Sequence, residues 1–143
     1  MTTIVETTRI AKDAAALWRE IGQFGAIGDW HPFLAKVESE GELEGSLRTA
    51  EGRDGSRQTE RLLQIAPDRH FYRYWMEATQ MPVRDYVAEL RVQDGGDGTS
   101  TIIWSADFEP GPGNEQVAET IRGFLRVGLD NIRARYNKRS GVG

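Results

Sequence analysis

The residues with the clearest potential for chemistry are one carboxylate and two tyrosines on strand-like segments in the middle of the chain. Glu60, Tyr74 and Tyr86 each share a strand face with large apolar residues when the two-residue period of a β-strand is applied. In a cavity, Glu60 could act as a general acid or base while a tyrosine hydroxyl polarises a carbonyl group. A structural interpretation is equally open, because a buried carboxylate is costly unless it is paired. In that case Glu60 reaches solvent near a strand end or pairs with an arginine such as Arg48.

Apolar residues accompany these three on the same predicted face and would form the wall of a ligand cavity. The predicted wall positions are Leu62, Met76, Ala88, Ile102, Trp104 and Phe124. Gly128 lies on the buried stripe of the predicted C-terminal helix, where the missing side chain would leave room above the sheet. The alternative for Gly128 is close packing of the helix on the sheet, since a mid-helix glycine costs about 1 kcal/mol relative to alanine.

Other kinds of catalytic site find little support in the sequence. The chain has no cysteine and only two histidines, His31 and His70, so thiolate nucleophiles, disulfides and thiolate metal sites are excluded. No zinc-binding HExxH or calcium-loop pattern occurs, and we predict no metal and no cofactor. His31, beside Trp30, is interpreted as a helix-end residue, and His70 as an exposed residue at the start of a strand.

The elements that must position the candidate residues are mainly strands. Residues 3–10 predict a first strand, residues 11–21 a short helix, and residues 24–30 a second short helix or turn. Six strand-like runs then follow at residues 33–40, 46–51, 58–65, 70–78, 84–92 and 99–108. The short turns between them permit antiparallel neighbours but not parallel crossovers. The sequence therefore predicts an α+β fold with about seven antiparallel strands.

One long helix is predicted at residues 114–138. Its apolar residues recur in steps of four, three and one from Val117 to Tyr136, which places them on one side of a helix. Asn114 is a suitable N-cap residue. Because this is the only long helix, its apolar stripe is expected to lie lengthwise on the concave side of a curved sheet.

Composition limits the partners. A length of 143 residues predicts a single domain, residues 1–143, and a net charge of −4 with a pI near 5.3 argues against nucleic acid. No apolar run is long enough for membrane insertion and no leader pattern occurs, so a cytoplasmic location is expected.

Arg122, Arg126 and Arg133 could form an anion-binding stripe, but a solvated face with local ion pairs is the simpler interpretation. The expected assembly is a monomer or a homodimer.

Several motifs along the chain occur in the order found in one protein superfamily. They include Thr59-Glu60-Arg61-Leu62, Tyr74, the run Met-Pro-Val-Arg-Asp-Tyr at residues 81–86, Trp30-His31-Pro32 and Gly128-Leu129-Asp130. Together they resemble the Bet v 1/START-like (SRPBCC) superfamily, and more narrowly its polyketide cyclase/dehydrase-like branch. The resemblance implies the helix-grip fold, in which a curved antiparallel sheet wraps around a long C-terminal helix and encloses a hydrophobic cavity.

The same resemblance suggests roles for individual positions. In the plant hormone receptors of this superfamily, a carboxylate and a tyrosine at the positions of Glu60 and Tyr86 line the pocket. Ala35 stands where those receptors keep a carboxylate-binding lysine, so it is predicted to line the pocket without that function. The polar turn at residues 53–55 does not resemble the receptors' gate loop, so hormone sensing is not expected.

Two classes of function remain open. One is a binding module that holds an apolar or aromatic small molecule, such as a polyketide, a lipid or an isoprenoid. The other is a cyclase, aromatase or dehydratase that uses Glu60, Tyr74 and Tyr86 as acid/base groups. Binding is favoured because the sequence shows no recognisable pair of nucleophile and base.

Overall fold

Seven strands form one antiparallel sheet in this computed structural model, which describes the backbone of residues 1–142 and the side chains of residues 1–136. The strands are β1 (Thr2–Ile10), β2 (Leu34–Ser39), β3 (Leu47–Gly52), β4 (Arg57–Ala66), β5 (Phe71–Thr79), β6 (Val83–Asp94) and β7 (Ser100–Pro110). Their order across the sheet is β1-β7-β6-β5-β4-β3-β2. The predicted meander is confirmed, with strand ends shifted by a few residues.

Two short helices follow β1, and the second of them contacts the long C-terminal helix. Helix α1 covers Ala14–Ile21, and the side chain of Asp13 caps it by accepting a hydrogen bond from the Ala16 amide at 2.9 Å. The predicted start at residue 11 was too early because Asp13 is the cap itself. A 3-10 turn at Phe24–Ala26 leads into α2, Ile27–Trp30, which ends immediately before His31.

The long helix α3 covers Val117–Val142, so it begins three residues later than predicted. Asn114 is not its N-cap, because the Asn114 side-chain amide donates to the Pro112 carbonyl oxygen at 3.1 Å instead. Along its buried side, Ile121, Leu125 and Leu129 are at most 2% exposed. A curved antiparallel sheet with this long C-terminal helix confirms the predicted helix-grip fold.

Helix α3 packs mainly against β1 and β7, towards one edge of the sheet. Glu6 on β1 anchors it by accepting hydrogen bonds from Arg122 at 2.9 Å and from Arg126 at 3.3 Å. Arg126 also pairs with Asp130 at 3.0 Å, so these two arginines form local ion pairs as the simpler interpretation predicted. Because α3 leans to one side, the face of β3 to β5 is only partly covered, and a space remains there. None of the described helices is both long and apolar enough to cross a membrane.

Candidate ligand-binding site

A cavity of about 420 Å³ lies between the N-terminal half of α3 and the inner face of β3 to β6. Its wall is mostly apolar or aromatic and consists of Phe33, Leu34, Ala50, Gly52, Arg53, Asp54, Ser56, Gln58, Glu60, Tyr74, Met76, Met81, Tyr86, Thr120, Ile121 and Phe124. Phe33, Arg53, Asp54 and Thr120 are exposed and mark the mouth. Glu60, Tyr74 and Tyr86 are buried and form the inner end.

Five of the positions predicted from the sequence lie in this wall. They are Glu60, Tyr74, Met76, Tyr86 and Phe124. The period of two brings the strand residues to the same face, and Tyr86 stays in phase with the buried Ala88 and Leu90 although the pairing of β6 with β7 shifts between Arg84 and Val87. All three predicted acid/base residues therefore meet at one end of the cavity.

Five other predicted positions are buried but lie outside the wall: Leu62, Ala88, Ile102, Trp104 and Gly128. The space expected beside Trp104 and Gly128 is filled by Trp30 and His31. The Trp30 ring packs edge-on against the Trp104 ring with centroids 5.3 Å apart, and the His31 ring lies 6.0 Å from it. These side chains displace the cavity towards the β3–β4 and β5–β6 turns.

Ala35 does not line the cavity, which corrects the position taken from the receptor resemblance. It is exposed, and the pairing of β2 with β3 shifts register between Leu34 and Lys36. This bulge interrupts the alternation of faces. The preceding residue, Leu34, is 6% exposed and faces the cavity.

The carboxylate of Glu60 forms an ion pair with a fully buried arginine. Its Oε1 atom lies 2.7 Å from Nε of Arg48, directly across the β3–β4 pairing. The same guanidinium donates through Nη1 to the Phe24 carbonyl oxygen at 2.7 Å and to the Tyr72 hydroxyl at 3.1 Å. Its plane also lies over the rings of Phe24 and Tyr74, at 4.2 and 4.6 Å from their centroids. The cavity interpretation and the pairing alternative for Glu60 therefore hold together, since it is paired with Arg48 and also faces the cavity.

The two tyrosine hydroxyls at the inner end are hydrogen-bond donors at neutral pH. Burial raises the pKa of both Tyr74 and Tyr86, and the nearby Glu60 carboxylate raises both further. The Tyr74 hydroxyl accepts a hydrogen bond from Nε1 of Trp104 at 3.1 Å, so its own proton is free to donate. Among the described residues the Tyr86 hydroxyl has no hydrogen-bond partner, and it is available to a ligand.

His31 joins the long helix to the segment before β2. Its Nδ1 accepts from the Phe33 amide at 3.1 Å, which leaves Nε2 protonated to donate to the Phe124 carbonyl oxygen at 2.8 Å. Burial lowers the pKa of His31 to about 4, and the bond to Phe124 offsets this only in part. His31 is therefore neutral at pH 7 and holds Phe33 and Phe124 at the cavity.

Gly128 is required for this close packing and does not open the cavity. A Cβ atom there would lie 2.7 Å from Cδ2 of His31 and 3.0 Å from the rings of both Trp104 and Trp30.

We expect Gly128→Ala to lower the free energy of unfolding by about 1–3 kcal/mol, because three packed rings must shift. Gly123 on the same helix has no neighbour within 4 Å of such a Cβ. As the control, Gly123→Ala should raise the free energy of unfolding by roughly 0.5–1 kcal/mol. Urea unfolding of both variants measures the change. If Gly128→Ala leaves the free energy of unfolding unchanged, the packing argument is contradicted.

The pairing of Arg48 was the main feature that the sequence interpretation did not resolve. A signal was present, because Arg48 and Glu60 fall opposite each other once the short β3–β4 turn sets the register. Ala50 and Leu34 lie on the same inner surface and were not singled out. Met81, in the β5–β6 turn, carries no periodicity that would place it in a wall.

A curved antiparallel sheet closed by a long C-terminal helix, with a cavity between them, defines a helix-grip protein. The family model described as polyketide cyclase/dehydrase and lipid transport matches residues 1–137, so the chain belongs to that family. This confirms the predicted membership of the Bet v 1-like (SRPBCC) superfamily. A comparison with curated proteins finds no match.

Solved structures with the same fold come from several bacteria. XoxI from Bacillus cereus has a TM-score of 0.90 and 24% identity, over 98% of this chain and 99% of that one. A protein from Thermobifida fusca has a TM-score of 0.84 and 27% identity, over 96% and 95%. The ZhuI aromatase/cyclase from Streptomyces sp. R1128 has a TM-score of 0.82 and 16% identity, over 97% and 95%. At 16% identity the likeness to the aromatase/cyclase is one of fold alone.

Proposed function

We propose that the protein binds an apolar or aromatic small molecule in the cavity between α3 and the sheet. The observation that carries this proposal is the 420 Å³ cavity itself, whose volume falls in the range of about 300–1,000 Å³ typical of small-molecule sites. Apolar side chains make up most of its wall, and a few polar groups converge at the inner end, as in sites that bind and orient a ligand. Membership of a polyketide cyclase and lipid transport family supports the same function.

Obstructing the mouth should weaken binding without disturbing the core. Thr120 is exposed and lines the mouth on α3, so in Thr120→Trp the indole would occupy the entrance. We expect the wild-type protein to bind the neutral fluorescent probe N-phenyl-1-naphthylamine, and the variant to bind it at least about tenfold more weakly, the equivalent of 1.4 kcal/mol. The measurement is a titration of probe fluorescence.

The matched control is Glu119→Trp, one residue earlier on the same helix. Glu119 is exposed and does not line the cavity, so this variant carries the same added indole outside the mouth. It should bind the probe as the wild type does. Equal binding by Thr120→Trp and the wild type, or no binding by the wild type, would overturn the proposed site.

The inner end also supports a second function, as an enzyme that removes a proton next to a carbonyl group. The observation in its favour is that Oε2 of Glu60 accepts no hydrogen bond from the described residues, while two protonated hydroxyls lie at the same end. Glu60 would take a proton from the carbon beside the carbonyl, and the electron pair left behind would form an enolate. Tyr74 or Tyr86 would stabilise the enolate oxygen by donating a hydrogen bond.

A further inference from the structure

We propose that the cavity selects neutral ligands that donate a hydrogen bond and discriminates against carboxylates, and that Glu60, held by Arg48, is the residue that decides this. The inference rests on the proposed binding function and adds the chemical class of the ligand. Four features of the cavity support this inference. They are the burial of Arg48, the free oxygen of Glu60, the protonated tyrosines and the distribution of charged side chains along the wall.

The arginine of the ion pair is out of reach of a ligand. Arg48 is fully buried and is not part of the cavity wall, whereas Glu60 is. The guanidinium carbon of Arg48 lies over the rings of Phe24 and Tyr74, and Nη1 of Arg48 donates to the Phe24 carbonyl oxygen at 2.7 Å. A ligand that enters the cavity therefore meets the negative end of the ion pair and not the positive end.

One strong hydrogen-bond acceptor at the inner end of the cavity lacks a donor among the described residues. Oε1 of Glu60 is occupied by Arg48, while Oε2 has no partner among the described residues. The adjacent hydroxyls of Tyr74 and Tyr86 already carry their own protons, so a ligand oxygen can accept from them. A neutral hydroxyl group suits this arrangement, because it donates to Oε2 through a charge-assisted hydrogen bond and accepts from a tyrosine.

A ligand carboxylate finds no cation at this end. Among the described lining residues, the charged side chains besides Glu60 are Arg53 and Asp54. Both lie at the mouth, have opposite charges, and Nε of Arg53 already donates to the Pro32 carbonyl oxygen at 2.8 Å. A carboxylate beside Glu60 would lose its hydration and face a like charge. An ammonium group would give up more hydration than a hydroxyl group on entering the cavity, which opposes its attraction to Glu60.

Three naphthalenes of similar shape test the inference on the wild-type protein. They are 2-naphthol, which is neutral and donates, 2-methoxynaphthalene, which is neutral and cannot donate, and 2-naphthoate, which is anionic. Their dissociation constants are measured at pH 7 by displacement of N-phenyl-1-naphthylamine and by calorimetry. We expect 2-naphthol to bind about tenfold more tightly than 2-methoxynaphthalene, the effect of one hydrogen bond to a charged group, and 2-naphthoate to bind most weakly.

A charge-removing substitution assigns the effect to Glu60. In Glu60→Gln the amide oxygen can still accept from Arg48, so the fold is expected to be retained, as checked by circular dichroism. The preference for 2-naphthol over 2-naphthoate should shrink at least about tenfold in this variant. The control is Glu77→Gln, since Glu77 pairs with Arg61 at 3.0 Å but lies outside the cavity wall. This control should keep the wild-type preference.

The outcomes separate this inference from the function on which it rests. If 2-naphthoate binds as tightly as 2-naphthol, or if Glu60→Gln keeps the full preference, the inference is overturned while binding in the cavity stands. If the wild-type protein binds neither the probe nor any of the three naphthalenes, the binding function fails and the inference fails with it. Should Glu60→Gln not fold, the order of the three affinities on the wild-type protein decides alone.

Discussion

Replacing Arg48 with methionine is expected to lower the free energy of unfolding by about 3–5 kcal/mol, as is typical when one member of a buried ion pair is removed. Methionine fills much of the volume of the arginine stem but leaves Glu60, which is 6% exposed, without its counter-charge. The Phe24 carbonyl oxygen and the Tyr72 hydroxyl also lose their donor. Urea unfolding followed by tryptophan fluorescence measures the change.

The chain contains a matched control for this prediction. Arg61 lies on β4 next to Glu60, pairs with Glu77 at 2.9 Å and donates to the Gly45 carbonyl oxygen at 2.7 Å, but its side chain is 36% exposed. Arg61→Met should therefore cost no more than about 1 kcal/mol, since solvent screens an exposed pair. Equal effects at Arg48 and Arg61 would show that burial of the Arg48–Glu60 pair is not the source of the cost.

A double substitution separates the unpaired charge from the loss of packing. In Arg48→Met combined with Glu60→Leu, no carboxylate is left without a partner. We expect this protein to recover at least half of the stability lost in Arg48→Met, because buried ion pairs are often replaced by apolar residues at little cost. A further loss in the double variant would mean that the pair stabilises the fold through its own attraction.

The second large effect concerns proton removal by Glu60. The bicyclic ketone 2-tetralone has acidic protons beside its carbonyl group, and their exchange in D₂O can be followed by NMR. If Glu60 is a general base, the wild-type protein should accelerate this exchange, and Glu60→Gln should lose about 10²–10⁴-fold of the acceleration, the usual contribution of such a group. Tyr86→Phe should lose part of it, because one donor to the enolate oxygen is removed.

The control for exchange is again Glu77→Gln, whose carboxylate lies outside the cavity wall. It should exchange 2-tetralone protons at the wild-type rate. If the wild-type protein binds 2-tetralone and does not accelerate exchange beyond Glu60→Gln, the enzyme function is excluded for this class of ketone. The protein would then be a binding module.

Much of the fold follows from local patterns along the chain. Alternation of apolar and polar residues predicted six strands in order after β1, and the short turns between them required antiparallel neighbours. The same alternation brought Glu60, Tyr74 and Tyr86 to one surface, because side chains two residues apart must share a strand face. The apolar stripe of α3 predicted that it would lie along the sheet.

The position of the cavity depended on packing between elements that are distant in the sequence. Trp30 and His31 enter from the end of α2, meet Gly128 on α3, and fill the space that strand alternation alone leaves open beside Trp104. Glycine at position 128 is compatible with either an opening or a close contact. Which of the two occurs depends on the side chains that face Gly128, here those of Trp30, His31 and Trp104.

Register shifts had a similar effect on individual residues. The receptor resemblance assigned Ala35 to the pocket, whereas Ala35 is exposed and Leu34 lies in the wall beside a register shift that strand periodicity cannot reveal.

Glu60 shows most clearly what the sequence determined and what the tertiary structure decided. The sequence determined that a carboxylate would lie on the inner face of the sheet, because its neighbours two residues away are also directed there. Whether that carboxylate is exposed, unpaired or neutralised depends on Arg48, Phe24 and Tyr72, which come from three separate elements. The charge that a ligand meets therefore depends on the tertiary structure, which buries the guanidinium of Arg48 outside the cavity wall.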